Sequence, residues 1–292
     1  MTMKIISPAG KSRSKRRRNA HRALLGLFLG IPALIYLGIC LTIGLKQRQM
    51  LYRTDVAAGG AVAVASTVSP IPDSQAVTIS TPDGESLAGW YVAPPPGQRV
   101  VLFLHGQGGR LGVQTNRWRR VREAGLGLLA ISYRGYAGST GTPTEDGLAL
   151  DARAAYDWLR QRHSARDIVL HGHSLGSGVA VRLGVAVEAS AVILESPFTA
   201  AVDVAAERFP WLPVRWLMLD QFRSRDLIAK VRAPLLIVHG DKDSVIPFEQ
   251  GERLYALAQQ PKVFVRFPGS DHNSLVRDGL YDKIKPFLAG LR

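Results

Sequence analysis

Short apolar runs recur along the chain from position 76 onward, and longer stretches between them bring apolar residues back every three or four positions. The runs predict strands at 76–80, 88–92, 100–104, 127–132, 168–170, 191–194, 235–238 and 263–266. The periodic stretches predict helices. One covers 147–160, with Leu148, Ala152, Ala155, Tyr156 and Leu159 on one stripe and Asp146 near its start. Others cover 179–187 and 248–258. Strand and helix alternating in this way predict an α/β fold: a mostly parallel eight-stranded sheet with helices on both faces. Pro94-Pro95-Pro96-Gly97 is expected to turn the chain between early strands, and no internal repeat is visible.

A different pattern opens the chain. From Ala23 to Leu45 there is no charged residue. As a helix this stretch would extend about 35 Å, against a bilayer hydrocarbon core of about 30 Å. Pro32 and several glycines would weaken a soluble helix, but lipid tolerates them. The expected organisation is a basic tail over 1–22, a transmembrane helix over 23–45, a linker over 46–72, rich in Ala, Gly, Val, Ser and Pro from 54 onward, and a catalytic domain over 73–292.

Charge fits this division. The net charge is +14, and the tail holds the dense run Lys11-Ser12-Arg13-Ser14-Lys15-Arg16-Arg17-Arg18 with no acid upstream. Only Lys46, Arg48 and Arg53 follow closely on the far side. Positive-inside bias then puts the N-terminus in the cytoplasm and the catalytic domain across the membrane. The basic excess reports this topology, and no nucleic-acid partner is expected. A secreted form, released by signal-peptide cleavage, is the alternative, but a signal's apolar core is only about 7–15 residues. The cleavage-like Ala61-Val62-Ala63 also lies far downstream. Lipidation at Cys40 is disfavoured by Ile39 before it. Cys40 is the single cysteine, so no intramolecular disulfide is possible and cysteine usage does not decide the compartment.

The chemistry centres on Gly172-His173-Ser174-Leu175-Gly176, behind the apolar run Ile168-Val169-Leu170. This reads as strand, sharp turn and helix. Such a turn strains the backbone at Ser174, and the flanking glycines leave room where a Cβ would collide. A serine nucleophile needs a base, and the base an orienting acid. His239 closes a buried strand, whereas His272 sits in a turn-rich loop after one; His272 is the expected base. For the acid, Asp243 is favoured over Asp241, which reads as a turn residue bonding its own backbone. Asp271 is adjacent to His272 and poorly placed to face its ring. The apolar strand Val100–Leu104 leads into His105-Gly106-Gln107-Gly108-Gly109, which exposes backbone N–H groups. The expected oxyanion donors are the N–H of Gln107 and of Leu175. A phosphate-binding loop is the rival reading of these glycines, but the Gly-Lys-Ser/Thr ending is missing. No Cys/His cluster has zinc-ligand spacing; His171 and His173 are expected to pack and to hydrogen-bond behind the site. Neither metal nor cofactor is expected.

Together with Tyr133-Arg134-Gly135-Tyr136-Ala137-Gly138-Ser139, Glu195-Ser196-Pro197-Phe198, His239-Gly240-Asp241-Lys242-Asp243 and Asp271-His272-Asn273, these motifs make the chain resemble the α/β-hydrolases. The resemblance covers roughly residues 75–290. It is to the membrane-anchored group of Bem46-like and ABHD-type serine hydrolases, with a serine aminopeptidase-like domain. It implies that Ser174, Asp243 and His272 form the triad. Gln107 stands where relatives often carry Asn, and Ala137 where they often carry Gly; the Gln107 backbone donor is unaffected.

Between Pro197 and Asp226 lie many large apolar residues, among them Phe198, Phe209, Trp211 and Trp216. They are expected to form an acyl pocket, with completion of the core as the plainer role for some. The expected function is a membrane-anchored serine hydrolase of esters or thioesters with lipid-like acyl groups. A serine aminopeptidase is the alternative; it needs a carboxylate near the cleft for a free amine, and Glu195 and Glu207 are available. A non-catalytic membrane-tethered scaffold is the third reading.

Overall fold

The eight apolar runs come together as one sheet. The computed structural model describes residues 10–54, 73–109 and 111–291. Its strands are β1 (Gln75–Ser80), β2 (Ser86–Val92), β3 (Val100–Leu104), β4 (Gly127–Ile131), β5 (Ile168–His173), β6 (Ala191–Glu195), β7 (Leu235–Gly240) and β8 (Lys262–Phe267). Their order across the sheet is β1-β2-β4-β3-β5-β6-β7-β8. β2 pairs antiparallel with both β1 and β4, and all other neighbours run parallel. The runs that are apolar throughout became the middle of the sheet: β3 to β7 are buried at every position. The edge strands β1 and β8 alternate with exposed positions.

Successive side chains of a strand face opposite ways, so each central strand feeds two cores. Val100, Leu102 and Leu104 join the core under α3 (Glu145–Arg160), α4 (Leu175–Ala186) and α7 (Phe248–Leu257). Val101 and Phe103 join the opposite core, under α2 (Thr115–Glu123) and α8 (Leu280–Ala289). Helix α3 begins two residues before its apolar stripe predicts, because the Thr144 hydroxyl accepts from the Gly147 N–H and caps a polar first turn. After β6 comes an insertion with two short helices, α5 (Ala201–Arg208) and α6 (Val214–Leu217). β5 runs past its last apolar residue to His173, because Phe103↔His171 and His173↔Glu195 keep the ladder paired.

The N-terminal helix α1 (Gly10–Tyr52) is longer than the expected membrane span of 23–45 and contains it. It begins inside the basic tail and continues beyond Leu45 into the stretch expected to be linker. The chain divides into Met1–Gln47 and Arg48–Arg292. The α1 stretch Phe28–Tyr52, which contains an 18-residue window of mean hydropathy 2.2, is long and apolar enough to cross a membrane. Phe28, Leu34, Leu37, Leu41 and Leu45 of the first unit are all exposed, unlike the apolar stripe of a soluble helix. Residues 48–54 belong to the second unit and are not a free linker. The rest of the expected linker, 55–72, and the tail residues 1–9 lie outside the described residues.

Candidate active site

Ser174 sits where β5 turns into α4, with φ 54° and ψ −122°. A left-handed φ at a residue with a side chain costs about 1–3 kcal/mol, so surrounding structure must hold it. Two backbone bonds do so: Ser174 N–H donates to Glu195 O at 2.9 Å, and Ser177 N–H donates to Ser174 O at 2.8 Å. The flanking glycines are required by close approach. A Cβ at Gly172 would lie 2.3 Å from Gly176 O, and one at Gly176 would lie 2.0 Å from Leu104 O. Strand, helix and the neighbouring β3 therefore touch through bare backbone.

His272 comes from the loop after β8 and meets the serine. Its Nε2 is 3.0 Å from Ser174 Oγ, and its Nδ1 is 2.7 Å from Asp243 Oδ2. The Asp243 side chain is fully buried. Its other oxygen accepts from the N–H groups of Val245 at 2.9 Å and Ile246 at 2.8 Å. Burial works to raise this carboxyl, but hydrogen bonds from His239 and His272 prevail and hold it well below the usual carboxylate range. His239 was expected only to end a buried strand. It is fully buried, and its Nε2 lies 3.1 Å from Ile246 O and 3.3 Å from Asp243 Oδ2, so it also braces the acid. The other carboxylates point elsewhere. Asp241 accepts from Gly269 N–H and pairs with Arg266, and Asp271 accepts from the backbone and hydroxyl of Ser244.

The loop after β3 passes so close to the serine that a Cβ at Gly106 would lie 3.0 Å from Ser174 Cβ. Among the described residues the N–H groups of Gln107 and Leu175 have no acceptor. The Leu175 N–H is free because it opens α4, where helix geometry leaves the first donors unpaired. The Gln107 side chain turns away from the serine and donates to Met50 O at 2.7 Å. His105 at the loop's start is buried, with its pKa lowered to about 4 by burial. His173 beside the serine is lowered to about 3, again chiefly by burial.

Behind the turn lies a buried ion pair that sequence reasoning did not find. Arg117 Nη1 and Nη2 donate to the two oxygens of Glu195 at 2.6 and 2.9 Å, and His171 Nε2 lies 3.1 Å from Oε2. Burial opposes the charge on Glu195, but Arg117 prevails and holds its pKa well below normal. Glu195 thus accepts the Ser174 N–H through its backbone while its side chain is occupied.

Ser174 and His272 open on a cavity of about 500 Å³, whose walls include Arg53, Gln114, Asn116, Arg117, Asn273 and Arg277. No carboxylate is among its described lining residues. None of the four aromatic residues expected to form an acyl pocket lines it, which corrects that expectation. Phe198 is 3% exposed and lies in the core, its ring tip 3.2 Å from where a Cβ at Gly178 would stand. Phe209 is half-buried in the insertion; Trp211 is 55% and Trp216 92% exposed. Trp211 and Trp216 thus meet the outer surface, and none of the four is among the residues lining the cavity at the serine. Hydrophobicity had located the insertion but not the direction of its rings. Among the described residues no group of His, Cys, Asp and Glu is arranged to hold a metal ion.

Comparison with known proteins bears on the fold and the family. The family described as serine aminopeptidase, S33, matches residues 95–227. An uncharacterised protein of Mycobacterium tuberculosis is 38% identical, covering 89% of this chain and 93% of its own. The human alpha/beta hydrolase domain-containing protein 17B is 33% identical, over 72% of this chain and 73% of its own. The lysophosphatidylserine lipase ABHD12 of Danio rerio is 33% identical, over 56% of this chain and 48% of its own. Among solved structures, an alpha-beta hydrolase of Vibrio vulnificus superposes with a TM-score of 0.69 at 24% identity, covering 82% of this chain and 92% of its own. The Pyrococcus furiosus esterase Pf2001 superposes with a TM-score of 0.61 at 20% identity, covering 74% and 92%.

Proposed function

We infer the activity from one premise: this chain belongs to the α/β-hydrolase superfamily, as an ABHD-type member. It is a hydrolase, and the finer reading we propose is a serine hydrolase of carboxylic esters or thioesters with lipid-like acyl groups. The observation that carries it is the hydrogen-bonded series from Ser174 Oγ through the His272 ring to Asp243. Ser174 Oγ attacks the carbonyl carbon while its proton passes to His272 Nε2. The N–H groups of Gln107 and Leu175 take the oxyanion, and losing one such donor costs about 100- to 1,000-fold in rate. Collapse of the tetrahedral intermediate expels the alcohol or thiol, which takes the proton from His272 and leaves an acyl ester on Ser174. Water, deprotonated by His272, attacks that ester; the acid departs and Ser174 regains its proton. Asp243 stays ionised and fixes the ring tautomer throughout.

The cavity lining bears on substrate. Arg53 and Arg277 line the cavity with no described carboxylate among the lining residues, though Arg277 also pairs with Asp278 at 2.9 Å, and this basic lining favours an ester that carries a phosphate or carboxylate. They disfavour the free amine of an aminopeptidase substrate. The two glutamates available for that role are engaged: Glu195 by Arg117, and Glu207 by Gln250 and Arg253. A relative named as a lysophosphatidylserine lipase supplies a first lipid to try. In the same reading the apolar part of α1 anchors the chain, with the basic tail cytoplasmic and the catalytic unit on the other side. A C-terminal reporter active only outside the cytoplasm tests the orientation, and an inactive, fully expressed fusion overturns it.

Activity is tested with p-nitrophenyl esters and acyl thioesters of increasing chain length. Turnover is expected, and Ser174→Ala is expected to reduce it at least about 10,000-fold. Absence of turnover on every substrate, by protein that a fluorophosphonate labels normally, contradicts the esterase reading.

A further inference from the structure

We propose that Arg48–Arg53, the last turn of α1 and the residue after it, is a positioning strap that aims an oxyanion donor. The proposal rests on the reading above that the Gln107 N–H takes the oxyanion. Three of the five residues from His105 to Gly109 are glycine, and Gly108 has φ 62°. Such a loop has many backbone conformations open to it, so its shape must be imposed from outside.

The end of α1 imposes it. The last carbonyls of a helix have no partner within the helix, and here the loop and its neighbours take them. Gln107 Nε2 donates to Met50 O at 2.7 Å, and Gly108 N–H donates to Tyr52 O at 3.0 Å. Tyr136 Oη donates to the same Tyr52 oxygen at 2.6 Å, and Arg53 N–H closes on Gln49 O at 3.0 Å. The strap is itself fixed. Tyr52 is fully buried and meets Phe222 edge to face at 6.4 Å, and Arg48 pairs with Asp220 at 2.7 Å. Arg53, at φ 50°, turns the chain out of the helix beside the cavity it helps to line. The side chain of Gln107 and the next N–H in the chain are therefore both held by the strap. The Gln107 N–H just before them has no acceptor among the described residues; its residue is held on one side by the strap, and on the other Gly106 O, in the same peptide unit, accepts from Gly109 N–H at 3.2 Å and lies 2.8 Å from His105 Nδ1. The helix that carries the membrane-type segment thus ends as part of the catalytic machinery.

The test uses full-length protein in detergent micelles, with Gln107→Met and Tyr136→Phe made singly and together. Gln107 is exposed, so methionine keeps its length and removes only the donor. Tyr136→Phe removes only a hydroxyl. Active sites are counted by fluorophosphonate titration; kcat and KM are then measured with one p-nitrophenyl ester, and the rate constant for labelling Ser174 is measured separately. The expected result is a kcat about tenfold lower for Gln107→Met and about 30-fold lower for the pair, with KM within about twofold, as for an interaction made only in the transition state. Wild-type kcat per titrated site in the double variant overturns the proposal, as does a change confined to KM or to the fraction of titratable protein. If the wild type hydrolyses no ester, the functional reading fails separately. The strap is then judged on labelling: about tenfold slower in Gln107→Met is expected, and an unchanged rate overturns it.

Discussion

The Ser174 turn and the His105–Gly109 loop lie side by side at the same cavity, yet they are held in different ways. The turn is held from within the sheet. Its strained serine is pinned by Glu195 O and by the first turn of α4, and its glycines pack on β3 and α4 backbone. The loop is held partly by its own bond from Gly109 N–H to Gly106 O and partly from outside, by carbonyls at the end of a helix more than fifty positions earlier in sequence. One half of the site is thus fixed by the core that folds the domain. The other half takes bonds from the end of α1, which reaches the core through Tyr52 but meets the loop through exposed Gln107. Damage to the first half should cost stability and activity together, and loss of the Gln107 side chain should cost rate alone.

The largest effect is expected behind the turn. Glu195→Gln leaves the buried Arg117 guanidinium without its counter-charge, and breaking such a pair costs about 3–5 kcal/mol. Urea unfolding of the detergent-solubilised variant is expected to show that loss, with activity falling alongside. A stable, inactive variant would break the comparison, because the pair would then serve chemistry rather than the fold.

A smaller effect involves both halves through pH. His173 on the turn and His105 on the loop have pKa values lowered to about 3 and about 4, each chiefly by burial. An unfolded histidine titrates near 6.5, so below that pH the unfolded chain binds more protons than the folded one. The stability tied to their neutral rings is therefore complete above about pH 6.5 and is lost as pH falls toward the folded values. Between pH 6.5 and 5.0 this amounts to at most about 2 kcal/mol for each ring. The urea midpoint is expected to be lower at pH 5.0 than at pH 7.5, and an unchanged midpoint contradicts the burial argument. The smallest stability effect belongs to Gln107→Met. Its thermal midpoint is expected within about 2 °C of the wild type, in keeping with a change at an exposed position. A large fall would show that the strap carries the fold and would erase the difference between the two halves.

The same contrast explains what could be read from the chain alone. The strands were legible because continuous apolar runs have no other use at the middle of a covered sheet. Ser174, Asp243 and His272 were legible because each sits at a strand end marked by glycine or turn residues, and the structure brings the three within hydrogen-bonding distance. The role of His239 was hidden: its position inside an apolar strand showed burial but not that Asp243 lies within 3.3 Å. The strap was hidden too. Residues 48–53 fell within the expected linker, and their bonds to the loop use backbone carbonyls, which leave no trace in side-chain pattern. Phe198, Phe209, Trp211 and Trp216 were placed at the substrate because hydrophobicity records an affinity for apolar surroundings, not which surface supplies them. Trp216 is 92% exposed, and the cavity walls instead carry Arg53 and Arg277.

The most direct test of the central claim is the intact mass of the protein, quenched in acid within the first turnovers on a p-nitrophenyl ester. On that claim an added acyl group is expected, which peptide mapping places on Ser174 and which is lost in Ser174→Ala. Full turnover with no covalent adduct at any quench time, and no burst of p-nitrophenol, would contradict it.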